Sequence, residues 1–242
     1  MFLGLSFLLG SLIELMQFGI NIDADMGDVL RDVTGSVLML SFGPGHKQIH
    51  SRFVQFVLQG VALLLLLIQL WPVAMALTDE AIARQQFPLL SGFETPFEAN
   101  RWEGDGKLSI STDPTSDDGD VLEFELPPGT FSGLHLKYFD GDWQGYKHLN
   151  LRLYNPIPEP LWISCRIHDL AHETGTQNYH DRFNRRFLLR EGWNDLTIDL
   201  AEVAAAPKTR RMDMAHIANL SLFTVALKKP RTLYLDDVRL TR

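Results

Sequence analysis

The sequence predicts N-terminal transmembrane α-helices followed by an all-β antiparallel sandwich of the jelly-roll type. Two observations carry this prediction. Residues 53–77 form a run of 25 residues without a formal charge, and a helix needs only ~20 predominantly apolar residues to cross a bilayer. From residue 107 onwards, apolar and polar residues alternate in short runs that turn residues separate. That period of two is typical of half-buried strands.

Two further apolar segments, residues 1–20 and 29–43, are also predicted to be transmembrane helices. The first differs from a signal peptide because no Lys or Arg precedes it and because Glu14 lies inside it. The loop after 29–43 carries bases and no acid, so the positive-inside tendency places it in the cytoplasm. The predicted location is therefore the inner or plasma membrane, with the chain after residue 77 in the periplasm or outside the cell.

Polar residues within the membrane part form a predicted cluster. Its members are Glu14, Gln17, Asp28 and Asp32. Charged groups at membrane depth usually face other helices or a wet cavity. The cluster is expected to pair the helices with one another or, alternatively, to handle protons or a substrate.

The segment IELMQFGINIDADMGDVLRDVTGSVL resembles the C-terminal half of the VanZ-like membrane family. Glu14, Gln17, Asp28 and Gly35 match that family's pattern, and Asp32 stands where the family usually has Asn. The resemblance covers about residues 1–43. It implies a membrane location more than a particular reaction.

Residues 78–92 are predicted to be a linker, and residues 93–242 a β-sandwich domain. Eight or nine strands without helices between them are typical of an antiparallel sandwich or barrel. A short helix-like insert is predicted at 201–217. The predicted strands are 107–112, 121–129, 134–139, 148–155, 161–169, 182–189, 195–200, 218–227 and 232–240.

The segments FETPFEANRW, DWQGYKHLNLRLYN and TLYLDDVRL, in this order, resemble galactose-binding-like β-sandwiches. Carbohydrate-binding modules and the complex I intermediate-associated protein family share this outline. Together with the predicted helices and the lack of a catalytic motif in the sequence, the resemblance implies a membrane-anchored, non-catalytic protein that binds a carbohydrate or another cell-envelope component. Alternatively, the sandwich is a protein-binding assembly or scaffolding factor. A third hypothesis is an enzyme that uses the loop 168–181.

Sugar binding needs aromatic rings for the pyranose faces and planar polar groups for the hydroxyls. The loop 168–186 and the turn around residue 143 are rich in both types, and the tryptophan of that turn is expected to be exposed. Asp181 and Arg182 could instead form an ion pair that orders the loop. The predicted ligand-binding residues are Trp143, Tyr179, His180, Asp181, Arg182 and Asn184.

The resemblance also implies a structural calcium ion held by Glu94 and Asp236, although both could simply cap strand ends. His168 and His172 are expected to be solvated loop residues rather than zinc ligands. Cys165 lies in an apolar alternating run and is expected to be a buried, inert thiol. The net charge of −8 and the pI near 5.4 argue against nucleic acid as the main partner.

Overall fold

The computed structural model describes residues 26–43, 51–112 and 119–242. The chain divides into two compact units, with the boundary between Leu77 and Thr78. The predicted helix 1–20, with Glu14 and Gln17, lies outside the described residues. The remaining two predicted helices fall within them.

Two helices are described before the sandwich: α1 (Met26–Phe42) and α2 (Arg52–Gln86). Gln69 lies beside the start of α1, where its Nε2 donates to Thr34 Oγ1 at 2.6 Å. Gln59 lies beside the end of α1, and its Nε2 donates to the Ser41 carbonyl at 3.3 Å. The two helices therefore run antiparallel, and their polar side chains meet at the contact between them.

Within the described ranges, α2 is the one helix that is long and apolar enough to cross a membrane. Only 6% of its most apolar stretch is buried, whereas the core helix of a soluble protein would be mostly covered. Asp28 lies in the first turn of α1, and Asp32 is exposed further along it.

The second unit contains two antiparallel sheets, which confirms the predicted sandwich. The first sheet has the strand order β3-β4-β11-β6-β9, with β1 paired to β11, and the second sheet has the order β2-β5-β10-β7-β8. The strands are β1 (Leu89–Ser91), β2 (Trp102–Gly104), β3 (Leu108–Ser111), β4 (Val121–Leu126), β5 (Gly129–Leu136), β6 (His148–Asn155), β7 (Leu161–Asp169), β8 (Phe183–Leu189), β9 (Gly192–Asp199), β10 (Ile217–Leu227) and β11 (Arg231–Thr241).

The core lies between the sheets because alternate residues of each strand point inward. On β6 the inward residues are Leu149, Leu151 and Leu153, each at most 1% exposed. Cys165 of β7 belongs to the same core, and its burial raises the pKa of the thiol to about 12. This agrees with the predicted inert thiol.

Two segments differ from the sequence prediction. Residues 78–86, predicted as linker, continue α2, and residues 89–91 form a strand. A short helix, α3 (Leu170–Glu173), follows β7. The helix-like insert predicted at 201–217 is shorter than expected, because only α4 (Leu200–Ala205) is helical there. Pro207 stands two residues beyond the end of α4 and cannot donate a helical hydrogen bond.

Candidate ligand-binding groove

The predicted site loop begins with an ion-pair network at the end of β7. Asp169 is fully buried and caps α3 by accepting a hydrogen bond from the His172 backbone N–H at 3.1 Å. Arg210 donates to Asp169 at 2.8 Å and to Asp181 at 2.7 Å. Asp181 therefore pairs with Arg210, and the alternative pair with Arg182 is wrong. The network orders the loop and occupies the Asp181 carboxylate.

Hydrogen bonding sets the charge of these carboxylates. Burial acts to raise the pKa of Asp169, but donors from Arg210 and from the backbone N–H groups of Asp213 and His172 outweigh it and lower the pKa to about 2. The hydrogen bond from Arg210 likewise lowers the pKa of Asp181. Both carboxylates are therefore ionised at neutral pH, and the guanidinium between them is held in its charged form.

The two histidines of this loop are buried, so their predicted solvation is wrong. His168 is 1% exposed and lies 2.5 Å from Glu173 through its Nε2 atom. Its ring centroid is 4.6 Å from that of His172, which is 2% exposed. Burial lowers the pKa of His168 to about 4. Asp169, between the two histidines in sequence, anchors the start of the loop through its bonds to Arg210 and to the His172 backbone N–H.

Trp143 is buried, so the prediction that it is exposed is wrong. Its side chain is 1% exposed, and its indole Nε1 donates to the Asp140 carbonyl at 3.0 Å. Its ring packs against Phe139 at a centroid distance of 5.9 Å. The backbone explains the position: the Trp143 N–H bonds to the Met214 carbonyl at 2.8 Å, which draws the turn onto the core.

The two predicted calcium ligands have different surroundings. Glu94 is exposed, whereas Asp236 is 8% exposed and lies 3.6 Å from the Arg152 guanidinium. Among the described residues, no group of three or more His, Cys, Asp or Glu side chains could hold a metal ion. Calcium at this position stays a prediction. The buried carboxylate near β1 is Glu98, which accepts from the Phe93 backbone N–H at 2.8 Å.

A groove of about 460 Å³ lies on the outer face of the second sheet. A row of facing residues crosses all five strands there. Its members, in spatial order, are Glu103 on β2, His135 on β5, Ser221 on β10, Arg166 on β7 and Asn184 on β8. Four gaps between strands, each ~4.8 Å, make this row ~19 Å wide.

Aromatic rings lie beside this polar row. Phe131 is 66% exposed, and its ring contacts Phe223 at a centroid distance of 6.1 Å. Both phenylalanines line the groove. Trp162 is 50% exposed on the outer face of β7, and the Arg186 guanidinium lies 5.0 Å from its ring centroid. The face therefore combines open aromatic surface with planar polar groups.

Three of the predicted ligand-binding residues come together at the β8 side of the groove. Arg182 lines the groove, and its guanidinium lies 5.2 Å from the ring centroid of Tyr179, which is 61% exposed. Asn184 is the next outward residue along β8. His180 is exposed and contacts the other edge of the Tyr179 ring. Trp143 does not join them.

The sequence prediction missed most residues of the sheet face, because it drew its candidates from the loop 168–186 and the turn around residue 143. The signal was present in the alternation: outward positions of a half-buried strand are usually polar, yet several here are aromatic. The missed residues are Phe131, His135, Trp162, Arg166, Arg186, Ser221 and Phe223.

The outer face of the first sheet also carries aromatic residues, but they pack on one another. Tyr154 lies 5.3 Å from Trp193 and 5.9 Å from Tyr234 between ring centroids. Arg152 covers the Trp193 ring at 4.6 Å and lies 3.4 Å from Asp195. These rings are half-buried, so this face offers less open aromatic surface than the groove does.

Comparisons with known proteins identify the fold class. No protein-family model and no curated protein matches the chain, so the resemblances to the VanZ-like and complex I intermediate-associated families stay predictions. An exo-β-agarase is similar in structure, with a TM-score of 0.50 and 13% identity over 63% of this chain. The aligned part is 25% of the agarase chain.

A family 11 carbohydrate-binding module from Clostridium thermocellum, solved in complex with a β-1,3-1,4-mixed-linked tetrasaccharide, is another similar structure. Its TM-score is 0.48 and its identity 15%, over 63% of this chain and 94% of the module. At these identities the likeness concerns the fold. The second unit thus shares a β-sandwich fold with the part of the agarase that it matches.

Proposed function

We propose that this protein is a membrane-anchored binding protein whose β-sandwich holds a carbohydrate in the groove of the second sheet. One observation carries the proposal: exposed aromatic rings and planar polar side chains share the outer face of the second sheet, in the groove and beside it. A β-sandwich fold hosts many functions, so the residues of this site, and not the fold, indicate what is bound.

The chemistry of the groove suits a sugar chain. The apolar face of a pyranose ring packs against aromatic surface such as that of Phe131 and Trp162. The side chains of His135, Arg166 and Asn184 can exchange hydrogen bonds with ring hydroxyls. The volume of about 460 Å³ is within the ~300–1,000 Å³ typical of ligand sites.

The carboxylate of Glu103 is not suited to be the general acid of glycoside hydrolysis. Lys137 Nζ donates to Glu103 at 3.0 Å, and this hydrogen bond lowers the pKa of the Glu103 carboxyl. The general acid of a glycosidase needs a raised pKa so that it is protonated when it acts. An ionised Glu103 is suited to accept hydrogen bonds from hydroxyls.

The antiparallel pair α1 and α2 supports the membrane anchor. Gln59 and Gln69 bond to the other helix, while the apolar side chains of α2 are exposed. That arrangement suits helices in lipid, where polar groups must find partners inside the protein. The charge bias of the loops in the sequence supports a location of the sandwich on the outer side of the inner or plasma membrane. Tethering would raise its effective concentration near envelope polymers.

An exposed apolar strip favours a second function, that of a protein-binding assembly factor. Phe131 faces Val225 across β5 and β10, and Trp162 faces Leu188 across β7 and β8. All four side chains are at least 40% exposed. A contiguous apolar patch of this kind is also typical of protein interfaces.

Affinity electrophoresis of the full chain in a sugar-free detergent tests the proposal. The chain should be retarded by at least one polysaccharide, and Trp162→Ala and Phe131→Ala should each weaken retardation about tenfold by removing stacking surface. Tyr138→Ala is the matched control, because Tyr138 is 57% exposed but lies beyond the end of β5, outside the groove lining and the strands of the outer face.

Two results decide between the candidate functions. Retardation that the groove variants leave unchanged would refute the assignment of the groove. Binding to no polysaccharide, together with a purified envelope-protein complex that Trp162→Ala disrupts, would favour the assembly factor.

A further inference from the structure

We infer that the groove selects an acidic glycan, with Arg166 and Arg182 binding its carboxylate or sulfate groups. This inference rests on the proposed function and names the chemical class of its ligand. Three observations carry it. The two guanidinium groups line the same groove, and their buried Nε atoms have no hydrogen-bond partner among the described residues. The neighbouring carboxylates bond to other groups.

Arg166 and Arg182 both line the groove, although only Arg166 lies on a strand of the second sheet. Arg166 is the fourth of the five members of the polar row, between Ser221 and Asn184. Arg182 immediately precedes β8, and its guanidinium is aligned beside the ring of Tyr179. Two like charges directed into one groove repel each other unless an anion lies between them.

The Nε atoms of Arg166 and Arg182 are buried and have no hydrogen-bond partner within the part of the chain that the structure describes. Other arginines of the sandwich bond to carboxylates. Arg101 donates to Asp79 at 2.7 Å, Arg210 bonds to two carboxylates, and Arg231, whose Nε also lacks a partner, donates to Glu159 at 3.0 Å through its Nη1. Buried polar groups without partners are costly, so the two groove arginines are placed to receive a ligand.

The acidic residues around the two arginines are already engaged. Glu173 attracts Arg166 but bonds to His168 at 2.5 Å. Glu103 bonds to Lys137, and Asp105 accepts from the Gly133 backbone N–H at 2.8 Å. Burial, followed by the positive charge of Arg182, lowers the pKa of the Arg166 guanidinium. A bound anion would offset both the cost of burying this positive charge and its repulsion by Arg182.

The ligand chemistry follows from the shape of these groups. A guanidinium presents a planar fork of donors that matches the paired oxygens of a carboxylate or a sulfate. The nearby rings of Phe131 and Phe223 can hold the sugar while the arginines bind its acidic substituent. Arg186, over the Trp162 ring, adds positive charge to the same face. This basic site belongs to a protein with a net charge of −8, so general electrostatic attraction does not favour anions.

The experiment compares charged polymers with neutral ones of the same backbone, using the full chain in a sugar-free detergent. One arm pairs polygalacturonate with its methyl ester, and the other pairs dextran sulfate with dextran. The expected result is binding to at least one acidic member, at least about tenfold tighter than to its neutral counterpart. The arm that responds distinguishes a carboxylate from a sulfate ligand.

Arg166→Gln and Arg182→Gln should each abolish most of that preference, and Arg166→Lys should restore only part of it because lysine lacks the planar fork. Arg190→Gln is the matched control, since Arg190 is exposed in the turn after β8. Circular dichroism would verify that each variant is folded, and Arg182→Gln would serve if Arg166→Gln fails to fold.

The outcomes separate this inference from the proposed function. Equal binding of neutral and acidic polymers, still lost in Trp162→Ala, would overturn the acidic preference and keep the carbohydrate site. A preference that Arg190→Gln reduces as much as Arg166→Gln does would also overturn it, because the attraction would then be unspecific. Failure to bind any polymer would reject both.

Discussion

Truncation of Trp143 should destabilise the sandwich without acting on ligand binding directly. The side chain is 1% exposed, contacts Phe139 and donates one hydrogen bond to Asp140. Trp143→Ala removes all three contributions and leaves a cavity, for which about 3–5 kcal/mol is typical. The unit Thr78–Arg242 has 165 residues, and in a domain of that size each kcal/mol lowers the Tm by about 2–4 °C.

The expected result is therefore a Tm lower by roughly 6–20 °C for Trp143→Ala, measured by circular dichroism of the full chain in detergent. Trp162→Ala is the matched control. It is 50% exposed and should change the stability by less than about 0.5 kcal/mol while it weakens glycan binding. A Trp143 variant that melts like the parent but loses binding would refute the buried position described above.

Three further predictions concern charged groups. Burial holds the pKa of His168 at about 4, below the value of 6.5 for the unfolded chain. The free energy of unfolding should therefore be greatest above pH 6.5 and fall by at most about 3 kcal/mol as the pH drops to 4. A Tm that stays constant over that range would contradict this prediction. Arg210→Gln leaves Asp169 buried without its partner and should cost about 3–5 kcal/mol in denaturant unfolding, whereas an unchanged midpoint would refute the network's role. Calcium bound by Glu94 and Asp236 would raise the Tm in proportion to the logarithm of its concentration; a Tm indifferent to both calcium and chelator would reject that site.

The strands could be predicted from the sequence because alternation is a local signal. The runs 148–155 and 161–169 coincide with β6 and β7, whose inward residues are nearly all apolar. The strands β1 and β2 could not be predicted, since each has three residues and three residues show no period. They exist because neighbouring strands supply hydrogen-bond partners, which is a tertiary effect.

The groove was harder to predict than the fold, because it depends on which strands are neighbours. Ser221 and Arg166 are 55 positions apart in the sequence yet face each other across β10 and β7. Arg182 and Asn184 were found because they adjoin a loop with conspicuous polar composition. Trp143 was misplaced for the same reason: a turn-like sequence says nothing about whether its aromatic residue points toward solvent or toward the core.

The strict division of each strand into inward and outward residues has an evolutionary consequence. On β7, Ile163 and Ile167 hold the two sheets together, while Trp162 and Arg166 alternate with them and face outward. Under the proposed function, mutation at the outward positions can alter which polymer is bound and leave the interior untouched. Related chains could thus diversify in specificity through a few surface replacements while inheriting the same scaffold.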